Sequence, residues 1–135
     1  MANYEATARS NYFLVKDLPA FTAWCNTLDI EVSPASEQNP DLIALLFAEG
    51  VPCSSYNQDT EEYDDLDFYG ILASHLTEGQ VAVIVEIGQE KMRYLVGTAV
   101  AVNAAGEIRE ITLDAIYTLA QELAPAGIAI SRAEY

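Results

Sequence analysis

The chain has 135 residues, 51% of them hydrophobic, and a formal net charge of −15 at pH 7. That length and apolar content predict one folded domain with a real core and exclude a disordered acidic tail. The charge opposes direct binding to nucleic acid or to an anionic membrane. No apolar run approaches the ~18 residues of a membrane span, and residues 1–10 lack the apolar centre of a secretory signal, so we expect a cytoplasmic protein.

The first third of the chain predicts a strand, a helix and two more strands. Residues 11–16 are rich in strand-forming side chains. Asp17 is placed to cap a helix, and the side chains at helical spacing that would form its buried face are Phe21, Trp24, Cys25 and Leu28. Residues 30–32 and 42–47 predict two strands, separated by a proline-containing loop.

The acidic tract at residues 54–69 follows. Its tyrosines are Tyr56, Tyr63 and Tyr69, and its six carboxylates are Asp59, Glu61, Glu62, Asp64, Asp65 and Asp67. Fifteen acidic residues and no lysine or arginine lie between residues 17 and 90, while the two flanks contribute +1 and −1. The whole net charge therefore lies in the middle of the chain.

Two interpretations of the acidic tract stay open. One is a solvated loop or helix entry that keeps the protein soluble. The other is a docking surface for a basic partner, because such a field attracts basic surfaces. Asp65 or Asp67 is also placed to cap a second helix, which Gly79 would end and whose neighbouring side chains are Leu66, Tyr69, Ala73 and Leu76.

Residues 81–87 and 92–102 give the strongest structural signal. Apolar side chains occupy nearly both faces of the first segment, and a turn at residues 88–91 leads to the second. We expect the two to pair as a long antiparallel hairpin at the centre of a sheet. A charge in place of Val83 would then unfold the domain. Gly97, in the middle of the second strand, predicts a bulge or close packing by a helix.

The C-terminal part predicts a strand at residues 107–111, a helix capped by Thr112 and an edge strand at residues 128–130. The buried stripe of that helix would comprise Ile116, Leu119, Ala120 and Leu123. The whole pattern predicts a single α+β domain over residues 1–135. Its antiparallel or mixed sheet would be built on the central hairpin, with about three helices packed against it.

Candidates for catalysis or metal binding are few. Residues 65–70 begin like a calcium loop, but leucine stands at the twelfth position, where a bidentate glutamate is required. His75 is the one histidine and cannot form a multi-histidine zinc site. Glu86 is either a catalytic carboxylate or, more often for such a residue, the ion-pair partner of a base such as Arg93. We predict no catalytic residue, no metal site and no cofactor.

Residues 6–17 (ATARSNYFLVKD) and 83–103 (VIVEIGQEKMRYLVGTAVAVN) resemble a family of small acidic proteins carried on bacterial plasmids and phages. The resemblance covers most of the chain outside the proline-containing loop and the acidic tract. It implies a mobile-element setting, in which small acidic proteins are often inhibitors of host defence, including anti-restriction and anti-CRISPR proteins. It assigns no functional residues.

We therefore expect a non-enzymatic inhibitor, in a bacterial host cell, whose acidic tract imitates DNA and blocks the basic surface of a nucleic-acid-binding defence protein. The expected partner-binding residues are the six acids of the acidic tract, with Tyr56, Tyr63 and Tyr69 as anchors. One alternative is an immunity-type protein that neutralises a basic toxin. The other is a small enzyme that uses Glu86 and His75. The sequence indicates no oligomeric state.

Overall fold

The computed structural model describes residues 4–90 and 94–132. The strands within these residues are β1 (Tyr4–Ser10), β2 (Glu31–Pro34), β3 (Ile43–Phe47), β4 (Ser54–Asn57), β5 (Glu62–Asp65), β6 (Val81–Glu90), β7 (Tyr94–Asn103) and β8 (Ile108–Thr112). The helices are α1 (Leu18–Thr27), α2 (Phe68–His75) and α3 (Ala115–Gln121). The predicted α+β class is confirmed. Of the helices described, none is long and apolar enough to cross a membrane.

Six strands form the main sheet in the order β2-β3-β1-β6-β7-β8, and all neighbours are antiparallel. The predicted pairing of β6 with β7 is confirmed, from Val81 opposite Asn103 to Glu90 opposite Tyr94. Residues 91–93, which include the end of the predicted turn and the start of the predicted second strand, lie outside the described residues. Strand β6 is interior, with β1 on its other side.

The prediction of the first strand was wrong in position. Strand β1 runs from Tyr4 to Ser10 and pairs with β6 along its whole length. Residues 11–16 contribute only isolated bridges, one of them from Phe13 to Ile43. The Phe13 side chain is fully buried in the core, and its backbone exchanges hydrogen bonds with Ile43 at 2.8 and 3.0 Å without extending into a strand.

Helices α1 and α2 pack on one side of the sheet, which we call the covered face. Phe21 and Cys25 of α1 are buried as predicted, and Asp17 caps this helix by accepting a hydrogen bond from the Ala20 amide at 3.1 Å. The main core joins these helices to alternate side chains of the central strands, including Ile84. The strand residues of that core are Ala8, Ile43, Leu45, Phe47, Ala82, Ile84 and Val102.

Helix α2 is capped by Asp67, whose Oδ1 accepts from the Gly70 amide at 3.1 Å. It ends at His75, before the predicted Gly79, because Leu76 is already extended (φ −70°, ψ 138°) and bridges to Val15. Gly79 lies in the following turn with φ of 86°, a conformation that favours glycine. The predicted cap was therefore confirmed, and the predicted end was late by one turn.

The prediction for the C-terminal helix was wrong in its packing. No residue of α3 is buried. Thr112 is the last residue of β8 rather than a helix cap, and Asp114 precedes α3 without making a side-chain cap. Residues 128–130 form no strand. The Leu113 amide still donates to the Gly97 carbonyl at 3.0 Å, so the chain leaves the sheet only there.

Gly97 allows that departure, because a Cβ on it would lie 2.6 Å from Cγ of Leu113. The close packing at this glycine is thus made by a leucine side chain between β8 and α3, and not by the predicted helix. The other side of the sheet, which we call the open face, carries alternate strand residues that point away from α1 and α2. These include Thr7, Arg9, Leu46, Val83, Val85, Ile87, Ala99, Ala101, Arg109 and Ile111.

Candidate interaction surface

The first part of the acidic tract is a β-hairpin, not the loop or helix entry expected from the sequence. Strands β4 and β5 form a separate two-stranded sheet, in which Tyr56 lies opposite Tyr63. The turn between them is organised by Asn57, whose Oδ1 accepts from the Asp59 amide at 2.9 Å and from the Thr60 amide at 3.4 Å. Glu61 takes a left-handed conformation with φ of 57°. An Asn-nucleated turn of this kind is common in hairpins.

The strand alternation divides the hairpin acids between two faces, as expected for a strand. Asp65 shares one face with the tyrosines, while Glu62 and Asp64 lie on the other. Asp59 and Glu61 belong to the turn. All five of these acids are exposed. The hairpin therefore presents negative charge in several directions around its tip.

Tyr56 and Tyr63 form the aromatic feature of the hairpin. Their ring centroids lie 5.2 Å apart at an interplanar angle of 61°, an edge-to-face pair. The two residues are 54% and 73% exposed. Cross-strand aromatic pairing stabilises a two-stranded sheet and at the same time leaves apolar ring surface available to a partner.

The base of the hairpin is tied to the covered face. The Leu66 amide donates to the Cys53 carbonyl at 2.9 Å, and the Val51 amide donates to Oε1 of Glu86 at 2.5 Å. Val51 and Leu66 also pack against the main core. The hairpin is therefore held at its base and projects from the covered face of the sheet.

Two of the nine predicted partner-binding residues, Asp67 and Tyr69, lie outside the hairpin, at the start of helix α2. Asp67 caps α2. Tyr69 is half-buried in a cleft of ≈ 310 Å³ that also contains Glu86 and Glu110. Burial, with a further effect from the Glu86 and Glu110 carboxylates, raises the pKa of Tyr69 to about 12. The structure thus brings seven of the predicted residues together on the hairpin and separates Asp67 and Tyr69 from them.

The hairpin charge is uncompensated among the residues that the structure describes. There the one ion pair joins Arg132 and Asp114 at 3.3 Å, far along the chain. Within the same residues, no group of three or more histidine, cysteine or acidic side chains is arranged to hold a metal ion. Asp64 accepts a hydrogen bond from Nδ2 of Asn57 at 2.9 Å, which orients it without neutralising it.

His75 and Glu86, which the enzyme alternative would use, lie in different parts of the structure. His75 stacks on Trp24 with ring centroids 5.4 Å apart, inside the aromatic cluster between α1 and α2. Glu86 lies opposite Thr98, accepts from the Tyr4 hydroxyl at 3.1 Å and holds the Val51 amide. The expected partner Arg93 lies outside the described residues. Glu86 therefore links β6 to β1 and to the base of the hairpin.

Sequence reasoning missed the hairpin and the Glu86 contacts. A usable signal for the hairpin was present, since Tyr56 and Tyr63 are strand formers that flank the turn-forming Asn57. The contact of Glu86 with Tyr4 joins residues 82 positions apart, and no local pattern indicates it. Comparison with protein-family models, curated proteins and solved structures gives no match for this chain, so the resemblance to plasmid and phage proteins stays a prediction.

Proposed function

We propose that this chain is a non-enzymatic acidic interaction protein that docks its β4–β5 hairpin onto the basic surface of a nucleic-acid-binding protein. Docking there excludes nucleic acid, as a DNA mimic does. The observation that carries this proposal is the hairpin itself, on which five exposed acids with no basic partner in the described chain surround an exposed tyrosine pair. The partner class we propose is a defence nuclease or CRISPR complex in the bacterial cytoplasm.

Charge density supports imitation of a nucleic acid strand. From Ser54 to the tip of its turn, between Asp59 and Thr60, the hairpin is about six residues long, or at most ~20 Å at ~3.3 Å per residue. Its five carboxylates therefore average one charge per ~4 Å, close to the ~3.4 Å per charge along one strand of duplex DNA. A basic groove that encloses the hairpin would meet a similar density of negative charge, because the acids lie on both faces and at the turn.

The acids and the tyrosines have different roles in this proposal. Exposed carboxylates act mainly on the association rate, because long-range attraction accelerates encounter and weakens as salt is added. Tyr56 and Tyr63 act mainly on the dissociation rate, because aromatic side chains that become buried at the centre of an interface hold the complex together. Replacing either set would therefore weaken binding through a different rate constant.

The first experiment neutralises four hairpin acids together. In Glu61→Gln/Glu62→Gln/Asp64→Asn/Asp65→Asn, charge changes by +4 and side-chain shape is nearly preserved. The matched control, Glu31→Gln/Glu37→Gln/Asp41→Asn/Glu78→Gln, makes the same change at exposed acids outside the hairpin. Partners captured from bacterial lysate at low and moderate salt are identified, and binding rates are then measured for each purified partner.

We expect the hairpin variant to associate at least about tenfold more slowly than the wild type, with a flatter salt dependence. The control variant should stay within about threefold of the wild type, since its charges are remote from the docking surface. Equal rates for the hairpin variant and the wild type at both salt concentrations would refute the docking proposal. Thermal unfolding of all three proteins separates lost binding from lost folding.

Competition with duplex DNA tests the more specific claim. A DNA mimic is displaced from several DNA-binding partners by duplex DNA, whereas tight binding to one basic protein, unaffected by DNA, indicates immunity-type neutralisation. Glu86→Gln, His75→Ala and Cys53→Ala should leave inhibition intact, because glutamine keeps an Oε1 acceptor for the Val51 amide and the other two side chains lie outside the hairpin strands. Loss of inhibition in one of them, with folding preserved, would favour the enzyme alternative.

A further inference from the structure

The open face of the main sheet is apolar and uncovered within the described chain. Its central side chains come from β6, where Val85 and Ile87 are 42% and 60% exposed. Around them the twisted sheet forms a shallow groove of ≈ 640 Å³, bounded by Arg9 and Leu46. Solvent contact with so much contiguous apolar surface is unfavourable, and patches of this kind mark interaction sites.

Helix α3 carries a second uncovered apolar surface. Ile116 and Leu119 lie on the helix, Leu123 follows two residues after its end, and each of the three is more than half exposed. The opposite side of the helix is occupied by the chain that returns after it, because Arg132 lies 4.2 Å over the ring of Tyr117 and pairs with Asp114. The segment 113–132 thus has the returning chain on one side, with a cleft of ≈ 580 Å³ between helix and chain, and apolar side chains on the other.

A two-turn helix of this kind gains little stability by itself, since isolated helices shorter than ~12–15 residues are marginal in water. It needs a surface on which to bury its apolar stripe. Leu113 is held at Gly97 on the chain's own sheet, and beyond it α3 lies off the sheet with its stripe in solvent. Within the described residues, the open-face groove and the apolar side of α3 are therefore both uncovered and are not brought together.

The charges of these two surfaces nearly balance and do not oppose association. The open face carries Arg9 and Arg109 together with Glu5 and Glu31, while α3 is flanked by Glu122 and by Asp114, which pairs with Arg132. The strongly acidic hairpin is attached through Val51 and Glu86 to the covered face, on the other side of the sheet. Repulsion between the acidic hairpins of two copies is therefore reduced by distance, because the Debye length is only ~8 Å at physiological salt.

The available area also suits a second copy. Strands β1, β6, β7 and β8 span ~19 Å across at ~4.8 Å per strand, and ~25–30 Å along the longer strands. Together with the α3 stripe, such a face approaches the ~800 Å² per partner that a stable interface buries.

We propose that the open face is covered by a second copy of this chain, with α3 of each copy seated in the groove of the other. The arrangement is a two-fold symmetric dimer in which Ile116, Leu119 and Leu123 pack against Val85, Ile87 and their neighbours. The two reciprocal contacts leave both hairpins exposed on the outer sides. This inference is independent of the proposed function.

Sedimentation of the full chain over a roughly hundredfold concentration range tests the dimer. The wild type should have the mass of two chains, whereas Val85→Asp and Leu119→Asp should each weaken dimerisation by roughly a hundredfold or more, because each places a charge in both reciprocal contacts. Both replaced residues are exposed in the single chain, so far-UV circular dichroism should be unchanged. Tyr63→Asp, the matched control on the acidic hairpin, should stay dimeric.

A mixing experiment tests the geometry. When Val85→Asp and Leu119→Asp proteins are combined, one of the two contacts in the mixed dimer has an intact α3 and an intact groove. Mixed dimers should therefore form where neither variant dimerises alone. A wild type of single-chain mass at every concentration would overturn the proposal, as would dimers unaffected by either substitution. Two monomeric variants that give no mixed dimer would instead indicate face-to-face association and overturn the seating of α3.

Discussion

The two faces of the main sheet differ sharply although the same strands build them. On β6, Ile84 is 1% exposed on the covered face, while the next residue, Val85, is 42% exposed on the open face. Both side chains are β-branched and apolar, so composition does not distinguish them. The difference is made by α1 and α2, which lie over only one of the faces. The apolar residues of a strand thus indicate that burial is favourable, and the arrangement of the helices decides which of the two faces is buried.

Aromatic packing stabilises the covered face. Phe21 contacts Phe13 edge-to-face at 6.1 Å between ring centroids, and Trp24 stacks on Phe68 at 5.4 Å. Such contacts add to the free energy gained by burying the rings themselves. The open face has no comparable cluster among the described residues, and its apolar side chains stay in contact with solvent.

The largest expected effect comes from placing one charge on either face. Ile84→Asp should reduce the free energy of unfolding by several kcal/mol, roughly 4 or more, because the carboxylate would be buried without a partner. Val85→Asp should change the stability of the single chain by less than about 1 kcal/mol, since the position is open to solvent. Urea unfolding at low protein concentration measures both.

The position of Val83 changes the expected effect of Val83→Asp. It lies on the open face and is only half-buried, so a charge there is no longer expected to unfold the domain. If Ile84→Asp and Val85→Asp destabilised the protein equally, the assignment of the two faces would be wrong.

A smaller expected effect is a pH dependence of the unfolding free energy, which arises from the buried Cys25. Burial raises the pKa of this thiol from 9.0 to about 12. The folded state therefore holds the proton more tightly than the unfolded state, and the resulting stability is present below pH 9 and lost as pH rises toward 12. Unfolding free energy should fall by roughly 1.4 kcal/mol per pH unit in that window.

Cys25→Ala should flatten this slope at its lower end, near pH 9 to 10, although the variant is less stable overall because it leaves a small cavity. Cys53→Ala is the matched control at an exposed cysteine and should keep the wild-type slope. Between pH 10 and 12, Tyr69 adds a loss of the same sign, because its pKa is raised from 10.0 to about 12. A wild-type slope in Cys25→Ala just above pH 9 would show that another group is responsible.

The smallest effect distinguishes the helix caps. Asp17 and Asp67 each accept an amide hydrogen bond at the start of a covered-face helix, whereas Asp114 makes no such bond before α3. Asp17→Ala and Asp67→Ala should each lower the unfolding free energy by about 1 kcal/mol. Asp114→Ala should cost less than about 0.5 kcal/mol, because its pair with Arg132 is at the surface. Thermal unfolding would contradict this distinction if all three substitutions had the same effect.

The sequence alone determined the elements whose signals are local. Asp17 and the spacing of Phe21 and Cys25 specify α1, because a cap and a helical face need only residues within a turn or two. The apolar run at residues 42–47 similarly indicated β3, and the alternation after Val81 indicated β6. Of the candidate surface, the sequence located the acids and Tyr56 and Tyr63, since charge and aromatic content are read directly.

Only the tertiary structure decided the position of β1, the form of the acidic tract and the exposure of α3. Strand β1 lies at Tyr4–Ser10 because its partner β6 begins more than seventy residues later, and strand register depends on such distant partners. Asp67 and Tyr69 are separated from the hairpin because Asp67 caps α2 and Tyr69 is a half-buried residue of that helix. The spacing of Ile116, Leu119 and Ala120 indicated α3, although the helix ends at Gln121, before Leu123, and buries none of these residues. The helix is exposed because the chain leaves the sheet at Leu113. Helical periodicity shows which side of a helix favours burial, but it does not show whether another part of the chain covers that side.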